Sequence, residues 1–221
     1  FLLFLPLTAW TGGSLYQRQI VDHLRRKGHR VETVFVDELS SPDSLAASGP
    51  DVLLWDGMSI IRWFFRWQRL PRQIPQALVV HAPFSRQYLE DEPWLPYPPE
   101  QLFEIERRLF ARMNGVLVPS ARIKNRLADR YGTPARIISV HPPTAHLPVG
   151  PAIVRRPSPG EWLLLSVGAI SPRKNQLALV QAAARLGENR PWKLLLVGQT
   201  TANPAYTEEV EKYIREHGLR D

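Results

Sequence analysis

Short apolar runs of strand length recur along this chain, separated by segments with helical spacing, and this alternation restricts the fold more than any other feature. The first six runs span residues 1–7, 31–36, 52–55, 77–80, 115–118 and 137–140. They are apolar continuously rather than at every second position, which is typical of parallel strands covered on both faces. The alternation therefore predicts the α/β class with a doubly wound parallel sheet.

Helices are predicted between the strands from apolar residues spaced three and four apart. The first spans about residues 15–27, with Tyr16, Ile20 and Leu24 on one stripe, and Gly28 ends it. Further helices are predicted at 99–113, 121–131, 176–186 and 206–216, and further strands at 162–167 and 193–197.

A proline-rich stretch divides the chain. Residues 142–160 contain six prolines and two glycines, a composition that favours a stiff, extended connector with little potential to form a core. We therefore predict an N-terminal Rossmann-like domain at 1–148, a linker at 149–160 and part of a second Rossmann-like domain at 161–221. The second domain is expected to be partial because two βα units are too few for a sheet domain of normal size.

The two ends of the sequence indicate a fragment. The chain begins without Met, and it ends at Asp221 directly after a helix-like stretch. The first apolar run is too short to span a bilayer and has neither a basic leader nor a cleavage site. We expect it to be a buried strand and the chain to be part of a longer protein.

Charge and cysteine content narrow the function classes. The chain has 28 Lys and Arg against 21 Asp and Glu, a net charge of +7 that favours anionic partners. It has no cysteine, which excludes disulfides and thiolate–metal sites. No ligand cluster with metal spacing accompanies the histidines, so neither a metal nor a cofactor is expected. Nucleic acid is not expected as a partner, because the basic residues are scattered and no recognition motif is present.

A glycine pair, Gly12 and Gly13, lies between the first strand and the first helix. Glycine lets the backbone take positive φ and approach a ligand closely, and amides at a helix N-terminus attract anions. The pair predicts a phosphate-contacting loop, or equally well an ordinary tight turn.

Two adjacent cations occupy a second loop between a strand and a helix. The strand at 163–167 leads through Gly168 to Arg173 and Lys174, just before the helix at 176–186. A guanidinium fork beside a compact ammonium group suits a diphosphate. The alternative interpretation is a solvated surface loop.

The sequence around these cations resembles the family 4 (group 1) glycosyltransferases, which are retaining GT-B enzymes that use nucleotide sugars. Residues 167–175 read Val-Gly-Ala-Ile-Ser-Pro-Arg-Lys-Asn, close to the family's strand, loop and Arg-Lys pattern. Other segments fit the family in the same order, namely the glycine pair and residues 78–81, 116–120, 137–143, 193–198 and 206–221.

This resemblance implies a GT-B-like fold and transfer of a sugar from a nucleotide-sugar donor, with retention and without a required metal. The acceptor would be a saccharide, a lipid-linked compound or another molecule. Arg173 and Lys174 would neutralise the donor diphosphate, and Gly12 and Gly13 would approach the donor from the other domain. His81 would lie near the transferred sugar as a catalytic residue, or it would only cap a core strand through hydrogen bonds.

The resemblance is incomplete at the C-terminal end. The family's Glu-x7-Glu motif is not reached, and the glutamates at 208–216 lie too early in the order and are interpreted as a solvated face. We therefore expect the chain alone to lack half of the donor pocket, which leaves its own activity open. The alternative function is a non-catalytic GT-B-like protein that binds sugar or phosphate.

The segment at 60–70 mixes aromatic residues with arginines. An exposed helix of this kind would make peripheral contact with an anionic membrane. A buried aromatic helix whose arginine heads reach water is the favoured alternative. We expect a cytoplasmic location, at the inner face of the membrane if such contact occurs.

Overall fold

The structure is a computed structural model that describes residues 2–5, 12–35, 38, 41–83, 85, 97–143, 162–186 and 191–219. The chain divides into two units, Phe1–His146 and Leu147–Asp221. Each unit has its own parallel sheet. The predicted linker at 149–160 and the residues 8–11 that precede the glycine pair lie outside the described residues.

The first unit contains a six-stranded sheet. Its strands are β1 (Leu2–Leu5), β2 (Glu32–Phe35), β3 (Leu53–Asp56), β4 (Gln76–Val79), β5 (Gly115–Val118) and β6 (Ile138–Val140). The order is β2-β1-β3-β4-β5-β6 and every neighbouring pair is parallel, as the apolar runs predict. The order changes direction at β1, so the carboxyl ends of β1 and β3 border the crevice where such sheets bind ligands.

Six helices of the first unit are described. They are α1 (Gly12–Arg26), α2 (Pro42–Ala47), α3 (Gly57–Arg62), α4 (Phe64–Trp67), α5 (Pro99–Arg112) and α6 (Ala121–Tyr131). Helix α6 has the predicted bounds, because Ser120 caps its first turn and Gly132 ends it at φ 66°. Helix α1 begins at Gly12 rather than at residue 15, so the glycine pair belongs to the helix.

The aromatic segment at 60–70 is mainly buried, as the favoured alternative predicts. Trp63, Phe64 and Trp67 lie in the core of the first unit, whereas Phe65 is 66% exposed. Within the described part of the chain, no helix has both the length and the apolar character needed to cross a membrane.

A glutamine lies inside this aromatic core. Gln76 is 2% exposed, and its Oε1 accepts hydrogen bonds from Trp67 Nε1 at 2.7 Å and Trp55 Nε1 at 3.0 Å. Its backbone N–H donates to Asn114 Oδ1 at 2.9 Å. One amide oxygen therefore satisfies the polar atoms of two buried indoles, which lets two large apolar side chains pack at the same place.

The second unit repeats the βα pattern. Strands β7 (Trp162–Val167) and β8 (Trp192–Val197) pair in parallel, and helices α7 (Gln176–Ala184) and α8 (Pro204–Glu216) follow them. Ile170, Val180, Tyr206 and Val210 form the small core between the helices and the sheet.

Candidate functional site

The first candidate site lies at the carboxyl edge of the six-stranded sheet. His81 follows β4, and Asp56 is the last residue of β3. Helix α1 presents Gln17 to both of them and Tyr16 to His81. Parallel strands end at the same edge, which is why residues far apart in sequence meet here.

Asp56 is almost inaccessible to solvent, with 1% exposure. Its Oδ2 accepts a hydrogen bond from Gln17 Nε2. Its Oδ1 accepts from the Ser59 backbone N–H at 3.1 Å, in the manner of a residue that caps a helix. The carboxylate is therefore held in one orientation by a side chain and by the first turn of α3.

The His81 side chain is 30% exposed, so one part of the ring faces solvent and the other packs inside the unit. Its Nε2 lies 3.3 Å from Gln17 Nε2 and 3.8 Å from Asp56 Oδ2, and the Tyr16 ring meets the imidazole edge to face. Burial lowers the pKa of His81 below its usual value, which favours the neutral ring. His81 thus has hydrogen-bonding contacts inside the unit, as expected of a residue that caps a core strand, and it also has a face that a ligand can reach.

Tyr16 connects α1 to the chain that leaves β6. Its hydroxyl donates to the His141 carbonyl oxygen at 2.7 Å, and burial raises the pKa of the phenol. This contact fixes the first turns of α1 at the same sheet edge as His81.

Gly12 and Gly13 form the start of α1. As the first two residues of α1 they have the helical backbone that any residue can adopt. A glycine at a helix N-terminus places no side chain of its own between the first backbone amides and a ligand.

The second candidate site is the loop between β7 and α7, which carries Arg173 and Lys174. Both residues lie in a 3₁₀ turn, Pro172–Lys174, rather than directly on the α-helix, and Asn175 at φ 52° separates that turn from α7. Both side chains are exposed, and no carboxylate among the described residues lies within ion-pair distance of either cation. They are thus available to an anionic ligand.

A buried glutamine holds this loop in place. Gln176 is 1% exposed; its Oε1 accepts from the Ser171 backbone N–H at 3.2 Å and its Nε2 donates to the Ala169 carbonyl at 2.9 Å. The Ile170 backbone N–H donates to the Gln199 carbonyl at 3.0 Å. The backbone that carries the two cations is therefore fixed from both ends.

Two glycines bring the loops after β7 and β8 together. Gly168 has φ 152°, and a Cβ there would lie 3.4 Å from Lys174 Cε. A Cβ on Gly198 would lie 1.8 Å from the Gly168 carbonyl oxygen, a distance that no packing adjustment of side chains can relieve. The absence of a side chain at Gly198 thus lets the cation loop take its position.

We predict that Gly198→Ala displaces the cation loop and destabilises the second unit by about 2 kcal/mol or more, because backbone must move to remove the overlap. Thermal unfolding and amide chemical shifts at residues 168–175 would measure both effects. Gly115→Ala is the matched control, since its Cβ would meet only Ala77 Cβ at an ordinary 3.8 Å. Equal losses of stability and equal shift changes in the two variants would contradict the claim that Gly198 is required for the position of the cation loop.

Comparison with known families then gives the affiliation of the chain. The family described as Glycosyltransferase Family 4 matches residues 39–145, and the family described as Glycosyl transferases group 1 matches residues 154–221. The chain therefore resembles the glycosyltransferases of these two families along most of its length. None of the curated proteins compared with it matches.

Solved structures show the same fold. The crystal structure of Anabaena Alr3699/HepE in complex with UDP and glucose is 15% identical with a TM-score of 0.61, and the match covers 100% of this chain and 66% of that one. A glycosyltransferase from Rickettsia africae ESF-5 is 16% identical with a TM-score of 0.61, covering 100% of this chain and 65% of that one. The lipopolysaccharide outer core galactosyltransferase WaaB, in its apo form, is 14% identical with a TM-score of 0.55, covering 99% and 65%.

These similarities confirm the GT-B-like α/β fold predicted from the sequence. The chain spans 66% of the Anabaena protein and 65% of the other two, so it corresponds to part of their length. Within this glycosyltransferase fold, Gly12, Gly13 and His81 belong to the first unit, and Arg173 and Lys174 belong to the second.

Sequence reasoning missed three residues of the candidate sites, namely Gln17, Asp56 and Gln176. Asp56 had a usable signal, since a carboxylate directly after an apolar strand lies at the ligand-binding edge of a parallel sheet. Gln176 also had one, because it is the polar first residue of an otherwise apolar helix. Gln17 had no such signal, because its partners, Asp56 and His81, lie far from it in the sequence.

Proposed function

We propose that the protein transfers a sugar from a nucleotide-sugar donor to an acceptor, with Arg173 and Lys174 binding the donor diphosphate. The observation that carries this proposal is the pair of exposed cations, without an ion-pair partner among the described residues, on a loop that Gln176 holds in place. The matches to the two glycosyltransferase families support the reaction class.

The chemistry follows from charge. When the bond between the sugar and the donor phosphate breaks, negative charge increases on the departing nucleoside diphosphate. A guanidinium fork and an ammonium group already in position stabilise that charge more than they stabilise the intact donor, which lowers the barrier. We propose that these two cations do so without a metal, and that configuration is retained as in the family that the sequence resembles.

We further propose that Gly12 and Gly13 contact a donor phosphate through the N-terminus of α1. The backbone amides of a helix start and the helix dipole both favour an anion, and the two glycines have no side chains of their own to hinder its approach. His81, with its accessible ring face, is the proposed contact to the transferred sugar.

Release of nucleoside diphosphate tests the reaction. The protein expressed from its complete reading frame would be incubated with a panel of nucleotide sugars, with and without saccharide and lipid-linked acceptors. UDP-sugars come first, because the structure of the similar Anabaena protein contains UDP and glucose. We expect release from at least one donor. Tight binding without release would support the non-catalytic alternative, and neither binding nor release would contradict the proposal.

We also propose a peripheral membrane contact through Phe65. Its exposed ring lies on α4 with exposed Arg66, and exposed Arg69 follows that helix. Two other residues of α4, Phe64 and Trp67, line a groove together with Arg72 and Arg112. An exposed aromatic ring among arginines suits a surface of anionic lipids, which are concentrated at the cytoplasmic face of membranes.

For this contact we predict that Phe65→Ser weakens co-sedimentation with phosphatidylglycerol-containing vesicles about tenfold, the cost of one aromatic side chain that no longer inserts. Leu15→Ser is the control, because Leu15 is an exposed apolar residue on α1. Binding that is unchanged in Phe65→Ser, or equally reduced in both variants, would contradict the contact.

A further inference from the structure

Gln17 lies between an acidic and an imidazole side chain. It is 1% exposed, its Nε2 donates to Asp56 Oδ2, and the same Nε2 lies 3.3 Å from His81 Nε2. Its Oε1 is buried and has no hydrogen-bond partner among the described residues.

The carboxylate determines which way the Gln17 amide points. A carboxylate only accepts hydrogen bonds, so the group of Gln17 that faces Asp56 must be the NH₂ group. The reversed amide would bring two buried acceptor oxygens into contact. Asp56 cannot turn away, because its other oxygen accepts from the Ser59 backbone N–H. The unpartnered Oε1 is the consequence of this orientation.

The amide in turn determines the protonation of the His81 ring. An NH₂ group has two hydrogens and no acceptor site; one hydrogen goes to Asp56, and the other faces His81 Nε2. That nitrogen must therefore carry a lone pair, and the ring proton lies on Nδ1. The direct route from His81 Nε2 to Asp56 Oδ2 measures 3.8 Å, which is too long for a hydrogen bond.

We propose that Asp56, acting through Gln17, holds His81 as the neutral tautomer protonated at Nδ1, so that the imidazole offers a hydrogen-bond donor to a sugar hydroxyl oxygen. Asp56 and Gln17 are then positioning residues, and His81 does not act as a general base through Nε2. The assignment of the tautomer depends only on the geometry of the first unit, whereas the hydrogen bond from His81 to a sugar rests on the proposed function.

The charged and titratable groups around the ring agree with this assignment. Asp56 from β3 and Tyr16 from α1 are the described titratable groups in contact with it. Burial lowers the pKa of His81, which disfavours the doubly protonated ring at neutral pH.

Nitrogen NMR measures the tautomer without donor or acceptor. The protein would be labelled with ¹⁵N-histidine, and His81 would be assigned from the signal lost in His81→Asn. At neutral pH we expect Nδ1 to show the shift of a protonated nitrogen and Nε2 that of a lone-pair nitrogen, with the two tautomers in a ratio of at least about 10:1. A ring protonated at Nε2, or at both nitrogens, would overturn the proposal from the unmodified protein alone.

Gln17→Leu removes the amide with little change of volume. We expect the tautomer ratio to fall at least about fivefold in this variant, whereas Gln101→Leu, on the exposed face of α5, leaves it unchanged. An unchanged ratio in Gln17→Leu would overturn the role of the amide.

Kinetic measurements distinguish failure of the tautomer proposal from failure of the proposed function. If sugar transfer is observed, Gln17→Leu should lower kcat about tenfold while the Kd for nucleoside diphosphate stays unchanged, because the diphosphate is assigned to other residues. A tautomer as predicted in a protein that releases no nucleoside diphosphate would refute the proposed function and leave the tautomer standing.

Discussion

Replacing both Arg173 and Lys174 with Ala is expected to weaken nucleoside diphosphate binding by about 10²–10⁴-fold. A charge-assisted hydrogen bond to an anion contributes about 1.5–3 kcal/mol, and about 1.4 kcal/mol corresponds to tenfold in affinity, so each single variant should lose about 10- to 100-fold. Isothermal titration calorimetry with UDP, GDP and ADP measures these losses. Arg173→Lys should recover only part of the affinity, because an ammonium group lacks the planar fork.

The control must remove the same charge elsewhere. Arg185 and Lys193 are exposed cations of the same unit that lie outside the β7–α7 loop, so their double Ala variant changes the net charge equally. We expect that variant to bind within about threefold of the unmodified protein, since exposed charges at a distance are screened by salt. Equal losses in the two double variants would mean that net charge and not the loop governs binding.

Gln76→Leu is expected to lower the free energy of unfolding of the first unit by about 2–6 kcal/mol. The substitution removes the oxygen that accepts from Trp55 Nε1 and Trp67 Nε1, and each buried donor left without a partner costs about 1–3 kcal/mol. Urea unfolding followed by tryptophan fluorescence gives the change, since both indoles lie in the core.

Gln73→Leu provides the matched control for this effect. Gln73 is exposed and precedes the same strand, so the substitution should change the free energy of unfolding by less than about 0.5 kcal/mol. A Gln76→Leu variant as stable as this control would contradict the role assigned to the buried amide.

The sheet and most helices were predictable because their signals are local. Continuous apolar runs predicted the strands, and Gly132 marked the end of α6 where the structure ends it. The predicted start of α1 was wrong, also for a local reason. Two glycines have low helix propensity, so the sequence pattern indicates a turn where the structure has a helix.

The candidate sites were predictable only in part, because much of their geometry depends on distant contacts. Gln17 and Asp56 are 39 residues apart, and Gln17 and His81 are 64 apart. No periodicity or motif within a single sequence indicates that residues so far apart are in contact. Arg173 and Lys174 were found because strand, glycine, cations and helix follow one another within a short segment.

A crystal structure of the protein with UDP tests the central claim most directly. We predict the diphosphate beside the β7–α7 loop, with oxygens within hydrogen-bond distance of the Arg173 guanidinium and the Lys174 ammonium group. A diphosphate bound elsewhere, with both of these side chains in solvent, would contradict the claim.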